Sequence, residues 1–249
     1  KHRRPDLVLF INGIPIVVIE LKKSSVSLEN GIKQLEKEQG KEEIPHLFKY
    51  VQLTIAANGS EARYGTTGTA FKFYSVWKEQ DGANESLKGV IKDRKISVLD
   101  TTLFALLSKD RLLRLIRHYI LFDKRAKKVC RYQQFFAIEE TLKRVSAKKD
   151  GARVGGLIWH TQGSGKSLTM VMLTKLLKQI YPNSKIIVVT DRIDLDEQIH
   201  ETFKNTDIKA GRASSGSDLI EKLQSGVSVI TTLVHKFEKV QNQKVVIRD

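Results

Sequence analysis

Residues 4–24 run RPDLVLFINGIPIVVIELKKS, two apolar segments on either side of Asn12-Gly13. Asn-Gly is favoured in tight hairpin loops because both residues tolerate positive φ, so the segments at 7–11 and 14–21 predict antiparallel strands. The hairpin also carries charge, at Asp6, Glu20 and Lys22. Side chains alternate along a strand, which sends Glu20 and Lys22 to one face and Ile19 and Leu21 to the other. A strict two-residue loop pairs Ile11 with Ile14, sets Asp6 opposite Ile19 and separates it from Glu20. One extra residue, in a three-residue loop or a bulge near Gly13 or Pro15, brings the two carboxylates together.

That juxtaposition has a chemical use. Two carboxylates can hold Mg²⁺, and a neighbouring ammonium can orient a nucleophile or offset charge on a phosphate under attack. Asp6, Glu20 and Lys22 are candidates for those roles in phosphodiester cleavage. A solvent-facing row of charges also produces Asp followed by Glu-x-Lys, so the pattern alone leaves both explanations open.

Beyond the hairpin, a helical pattern runs from Leu28 to Gln39, an apolar run at 51–57 predicts another strand, and Asn58-Gly59 marks a turn. This order predicts a small α/β domain. From Thr102 to Phe122 the apolar residues recur at helical spacing, and residues 123–153 then hold ten Lys/Arg against four Asp/Glu. That basic stretch suits a DNA-facing connector or a solvated face. After Arg153 the pattern alternates, with GGLIW, KIIVV, VSVITT and KVVIR as strands and helices from 166, 194 and 233. Alternation of this kind predicts a parallel sheet with crossover helices.

HTQGSGKS, residues 160–167, lies between the apolar GGLIW and an amphipathic helix, the setting in which a glycine-rich loop can cradle phosphate. Gly163 and Gly165 let backbone amides face the phosphates, Lys166 would reach the β- and γ-phosphates, and Ser167 would ligate Mg²⁺. His160 stands where the strict phosphate-loop pattern has its first glycine. The candidate nucleotide-binding residues are Thr161, Gly163, Ser164, Gly165, Lys166 and Ser167. Asp249, closing the strand-like KVVIRD, is a candidate for a second Mg²⁺-directed carboxylate. Cys130, Trp77 and Trp159 are expected to be buried packing.

Composition narrows the class. Lys and Arg number 43 against 28 Asp and Glu, a net charge of +15 that favours a polyanionic partner such as nucleic acid. One cysteine excludes an internal disulfide framework, no Cys/His spacing suits zinc, and no apolar run is long enough to span a membrane, which together predict a cytoplasmic protein. The first motif begins almost at Lys1, and Asp249 follows a strand-like run, so a fragment is expected.

RPDLVLFINGIPIVVIELK resembles the PD-(D/E)xK nuclease motif of the restriction (R) subunit of type I restriction-modification systems. GLIWHTQGSGKSLTM resembles that family's first motor motif, of the superfamily 2 helicase type. RLLRLIRHYILF with CRYQQFFAIEE is similar to its connector and its adenine-reading segment, and VVTDRIDLDEQIHETF and VITTLVHKF resemble the next motor motifs. The resemblance implies an α/β chain. A restriction-endonuclease-like mixed sheet domain with a helical connector would cover residues 1–122, and part of a RecA-like parallel-sheet P-loop domain, an incomplete first motor lobe, would cover 123–249.

Carried over by motif, Asp6, Glu20 and Lys22 would be the nuclease triad, with Asp6 and Glu20 on the metal. Gln34 would match the glutamine of a Q-x-x-x-Y element, although Glu38 stands where the tyrosine is expected. Gln134, or else Gln133, would contact the adenine edge; an exposed helix glutamine is the alternative. Asp191 and Arg192 would contact DNA or couple to the nucleotide, and Asp191 or Asp194 would serve equally as a helix cap.

The resemblance implies a subunit that uses ATP and Mg²⁺ to pull double-stranded DNA past a stationary complex and cut it away from the recognition site. Its partners would be the specificity and methylation subunits. With only part of the motor present, negligible DNA-stimulated ATP hydrolysis is expected from this chain alone. Two other functions share the motifs: a repair-type nuclease-helicase acting from DNA ends, and a DNA-binding P-loop regulator whose hairpin carboxylates are structural.

Overall fold

The structure is a computed structural model that describes residues 3–79 and 83–241. The chain divides into two compact units, Lys1–Phe135 and Phe136–Asp249.

The first unit is built on a four-stranded mixed sheet of order β1-β2-β3-β4: β1 (Leu7–Ile11), β2 (Ile14–Leu21), β3 (Leu53–Ala57) and β4 (Ala62–Gly65). β1 pairs antiparallel with β2, β2 parallel with β3, and β3 antiparallel with β4. The parallel pair is linked by α1 (Leu28–Glu38) and the short α2 (Pro45–Phe48). Ser27 caps α1 by accepting from the Glu29 amide, which satisfies one of the free N–H groups that every helix start exposes.

The valine and isoleucine content of β2 follows from cover on both sides. On one face Val18 and Ala56 pack against Leu28, Ile32 and Leu35 of α1, with Phe48, Val51 and Tyr74. On the other, Ile19, Leu53 and Ile55 are buried, and Tyr64, paired with Ile55, begins an aromatic cluster. Its ring meets Trp77 edge-on at 5.8 Å, Trp77 meets Phe135 at 5.6 Å, and Phe135 meets Tyr119 at 4.7 Å. The Tyr64 hydroxyl donates to the Cys130 carbonyl at 2.7 Å. Burial holds that phenol well above its ordinary range.

The stretch from Thr102 to Phe122 is not one helix. After α3 (Ala83–Val90) come α4 (Val98–Leu107), α5 (Lys109–His118) and then β5 (Ile120–Asp123), which forms a hairpin with β6 (Ala126–Val129). Ser108, at φ −55° and ψ 133°, ends α4 and starts α5. Its extended ψ breaks the helix while leaving the apolar spacing on either side intact. α6 (Tyr132–Ser146) crosses the division between the units, and a small hairpin, β7 (Lys148–Lys149) and β8 (Ala152–Arg153), follows.

The second unit holds α7 (Lys166–Ile180), β9 (Ile186–Thr190), α8 (Ile193–Asn205), β10 (Gly211–Arg212), α9 (Gly216–Gln224), β11 (Val229–Leu233) and α10 (Glu238–Gln241). Its sheet, of order β10-β11-β9, is parallel throughout. The expected strand at GGLIW does not form: residues 154–160 are irregular, and Leu157 and Trp159 are 85% and 86% exposed. A strand exists only through the backbone ladder it makes with a neighbour, and among the described residues none lies alongside this segment. Trp159 is therefore not packing, whereas Cys130 and Trp77 are buried as expected. KVVIR and Asp249 lie outside the described residues. No helix among those described is long and apolar enough to cross a membrane.

Candidate nuclease and phosphate sites

In the first unit, the hairpin loop has two residues, Asn12 at φ 50° and Gly13 at φ 79°, the twist that matches the strands on either side. The pairing runs Ile11 with Ile14 and Phe10 with Pro15, then slips, so that Leu9 faces Val17 and Leu7 faces Ile19. Ile16 is the extra residue. Proline supplies no amide to the ladder, which makes its surroundings a favourable place for a bulge. Beyond the slip Asp6 falls across from Glu20, and Asp6 Oδ2 accepts from the Leu21 amide at 2.7 Å.

Glu20 and Lys22 point to the face covered by α1. Glu20 is 2% exposed. Its Oε1 takes the Lys22 ammonium at 2.5 Å, and its Oε2 is buried without a hydrogen-bond partner. Burial raises the Glu20 carboxyl above its ordinary range; the Lys22 ammonium opposes that shift, and the charges of Asp6 and Glu38 add to it. Lys22 Nζ also donates to Gln34 Oε1 at 2.8 Å, and Gln34 Nε2 donates to Glu38 Oε1 at 3.0 Å. Asp6, Glu20, Lys22 and Gln34 thus come together at one end of the sheet.

Two further residues belong to this place. Gly31 lies on the face of α1 against the sheet, where a Cβ would meet Lys22 Cγ at 3.4 Å and Ala56 Cβ at 3.5 Å in ordinary van der Waals contact. Nothing in the linear sequence marks it. Glu38 is 1% exposed, and the signal that could have found it is its departure from the tyrosine of the resembling motif.

The site suits a hard divalent cation in part. Among the described residues no three carboxylate, imidazole or thiol groups converge, so Asp6 and Glu20 offer two carboxylates and no closed cage. Mg²⁺ commonly binds through one or two carboxylates and keeps several waters or phosphate oxygens. The unpartnered Glu20 Oε2 is an oxygen free for such an ion.

In the second unit, Gly163 and Gly165 take φ 74° and 86°, the left-handed conformation that glycine alone adopts without strain. α7 starts at Lys166 directly after Gly165, aiming its first amides at the loop. Lys166 Nζ donates to the Thr161 carbonyl at 2.9 Å, Ser164 is buried with an unpartnered Oγ, and Ser167 is half-buried on the first turn. His160 has a buried, unpartnered Nδ1. A glycine-rich loop at a helix start, with a lysine resting on a carbonyl, fits a polyphosphate.

Gln134 belongs to the first unit and is buried, its Oε1 accepting from the Arg131 amide at 2.8 Å at the start of α6. Gln133, beside it, has a buried Oε1 without a partner. Arg192, at the N-cap of α8, pairs at 2.5 Å with Asp194 in its first turn, both on the surface.

A mixed-sheet unit with a carboxylate-bearing hairpin is followed in the chain by a parallel-sheet unit with a glycine-rich loop at a helix start. The family described as type I restriction enzyme R protein N terminus matches residues 1–73, and the SWI2/SNF2 ATPase family matches residues 133–249. The HindI type I restriction enzyme endonuclease subunit of Haemophilus influenzae is 37% identical over 232 residues, covering 88% of this chain and 20% of that protein. A Methanocaldococcus jannaschii protein provisionally named the MjaIXP endonuclease subunit is 33% identical over 95% of this chain and 24% of its own length. A Staphylococcus aureus type I restriction enzyme endonuclease subunit is 27% identical over the same shares. The chain belongs to the type I restriction enzyme R protein family and matches about a quarter or less of the length of these relatives.

Proposed function

We propose that this chain is the nuclease and first motor part of a type I restriction enzyme subunit that translocates double-stranded DNA with ATP and cuts it away from the recognition site. The observation that carries the cutting half is the bulge at Ile16, which turns a register that would separate Asp6 from Glu20 into one that joins them beside Lys22. A structural hairpin has no need of that slip or of a buried, half-satisfied carboxylate.

Asp6 and Glu20 would hold Mg²⁺, which supplies positive charge to offset that developing on the scissile phosphate. Lys22, held by Glu20 and Gln34, keeps an ammonium directed at the same place, where it can orient the attacking group or stabilise charge. Thr161, Gly163, Ser164, Gly165, Lys166 and Ser167 would hold the triphosphate of ATP and its Mg²⁺, with Gln134 proposed for the adenine edge and Asp249 for a second carboxylate. Specificity and methylation subunits would supply recognition.

The test is the complete subunit, reconstituted with those partners on closed circular DNA bearing a site. Lys22→Ala is expected to abolish cutting and keep ATP hydrolysis, and Lys166→Ala to lose both. Normal cutting by Lys22→Ala would return the hairpin to scaffold. A requirement for free DNA ends would favour the repair-type nuclease-helicase.

A further inference from the structure

We infer that Glu38 is a positioning residue for Lys22, acting through the amide of Gln34. The inference rests on the nuclease function proposed for the hairpin. A glutamine amide has two ends of nearly equal size and opposite hydrogen-bonding sense: its oxygen accepts and its nitrogen donates. An ammonium only donates and an ionised carboxylate only accepts. Gln34 lies between one of each, with Oε1 at 2.8 Å from Lys22 Nζ and Nε2 at 3.0 Å from Glu38 Oε1. Reversing the amide would set an NH₂ against the ammonium and an oxygen against the carboxylate, so Glu38 fixes which end of Gln34 the lysine meets.

The placing of Glu38 is costly for the fold. It is the last residue of α1, where the helix dipole disfavours negative charge, it is 1% exposed, and its Oε2 has no partner. Gln34 and Glu38 are four apart on one helix face, but an exposed pair would give the same small helical gain without the burial. Restraint of Lys22 accounts for what stability does not: the ammonium is held from one side by Glu20 and from the other by Gln34, and the second grip is only as firm as the amide that makes it.

The experiment measures DNA cleavage and ATP hydrolysis by the complete subunit with its partners, for Glu38→Met, Glu38→Gln, Gln34→Ala and the Glu38→Met/Gln34→Ala double variant, beside Lys22→Ala. Methionine removes the acceptor and a buried charge without opening a cavity, so a lower cleavage rate is not explained by unfolding. Glu38→Met and Gln34→Ala are each expected to lower the cleavage rate about tenfold or more, as loss of an orienting partner commonly does. The double variant is expected to be no slower than Gln34→Ala, because both remove one restraint. Glu38→Gln, which can still accept from Gln34, recovers part of the rate, and ATP hydrolysis stays constant throughout. Multiplying losses in the double variant, or wild-type cutting by Glu38→Met while Lys22→Ala is dead, would overturn the inference. Normal cutting by Lys22→Ala would overturn the nuclease function itself, and this inference with it.

Discussion

Tyr74 shows how a single polar atom is kept in the core of the first unit. Its ring packs among Val18, Leu35, Phe48 and Val51, and its hydroxyl shares a 2.8 Å hydrogen bond with Thr54 on β3. Burial pushes the phenol from its usual 10 up to about 12. A neutral acid whose pKa is raised on folding lends stability below the unfolded value and loses it as pH climbs through the folded one. Stability of the wild type is therefore expected to fall between about pH 10 and 12, and Tyr74→Phe to flatten part of that fall. At neutral pH the same variant leaves Thr54 Oγ1 unpaired and costs about 1–3 kcal/mol. Denaturant midpoints at neutral and alkaline pH measure both effects.

Among the elements, the opening hairpin depends on one inserted residue. Deleting Leu9, on the Asp6 side of the slip, shortens β1 by one residue, sets Asp6 across from Ile19 on the face opposite Glu20, and leaves the pairing of β2 with β3 untouched. β1 is an edge strand with Leu7 and Phe10 already exposed, so the sheet is expected to survive. The complete subunit should then lose DNA cleavage and keep ATP hydrolysis, with circular dichroism unchanged; cleavage at the wild-type rate would show that Asp6 has no part in it. The need for this slip was legible in the sequence because the side-chain period and the Asn-Gly loop are both local. So were α1, the phosphate loop, β9 and β11, each set by turn chemistry or periodicity. Ser108 was not legible, because identical apolar spacing supports one helix or two and only packing chooses the break. GGLIW was misjudged for the complementary reason: an apolar run has strand character, but its ladder must come from elsewhere in the chain.

Taken whole, the molecule is two units that share α6, and the first is closed from far along the chain. The sheet is complete by Gly65, yet Tyr64 donates to the carbonyl of Cys130, Trp77 leans on Phe135, and β5 pairs with β6 beyond residue 125. Composition points to a boundary after residue 122, where the basic stretch begins; the contacts of the first unit continue to Phe135. For the isolation of the first unit by itself, the choice of stop codon follows from these contacts. A chain stopped after residue 122 lacks Phe135 and the Cys130 carbonyl, and truncation of one such buried aromatic costs about 3–5 kcal/mol. It is expected to express as an aggregate or melt without a cooperative transition. A chain stopped after Ser146 retains the aromatic cluster and the whole of α6, and is the version expected to stay soluble on purification.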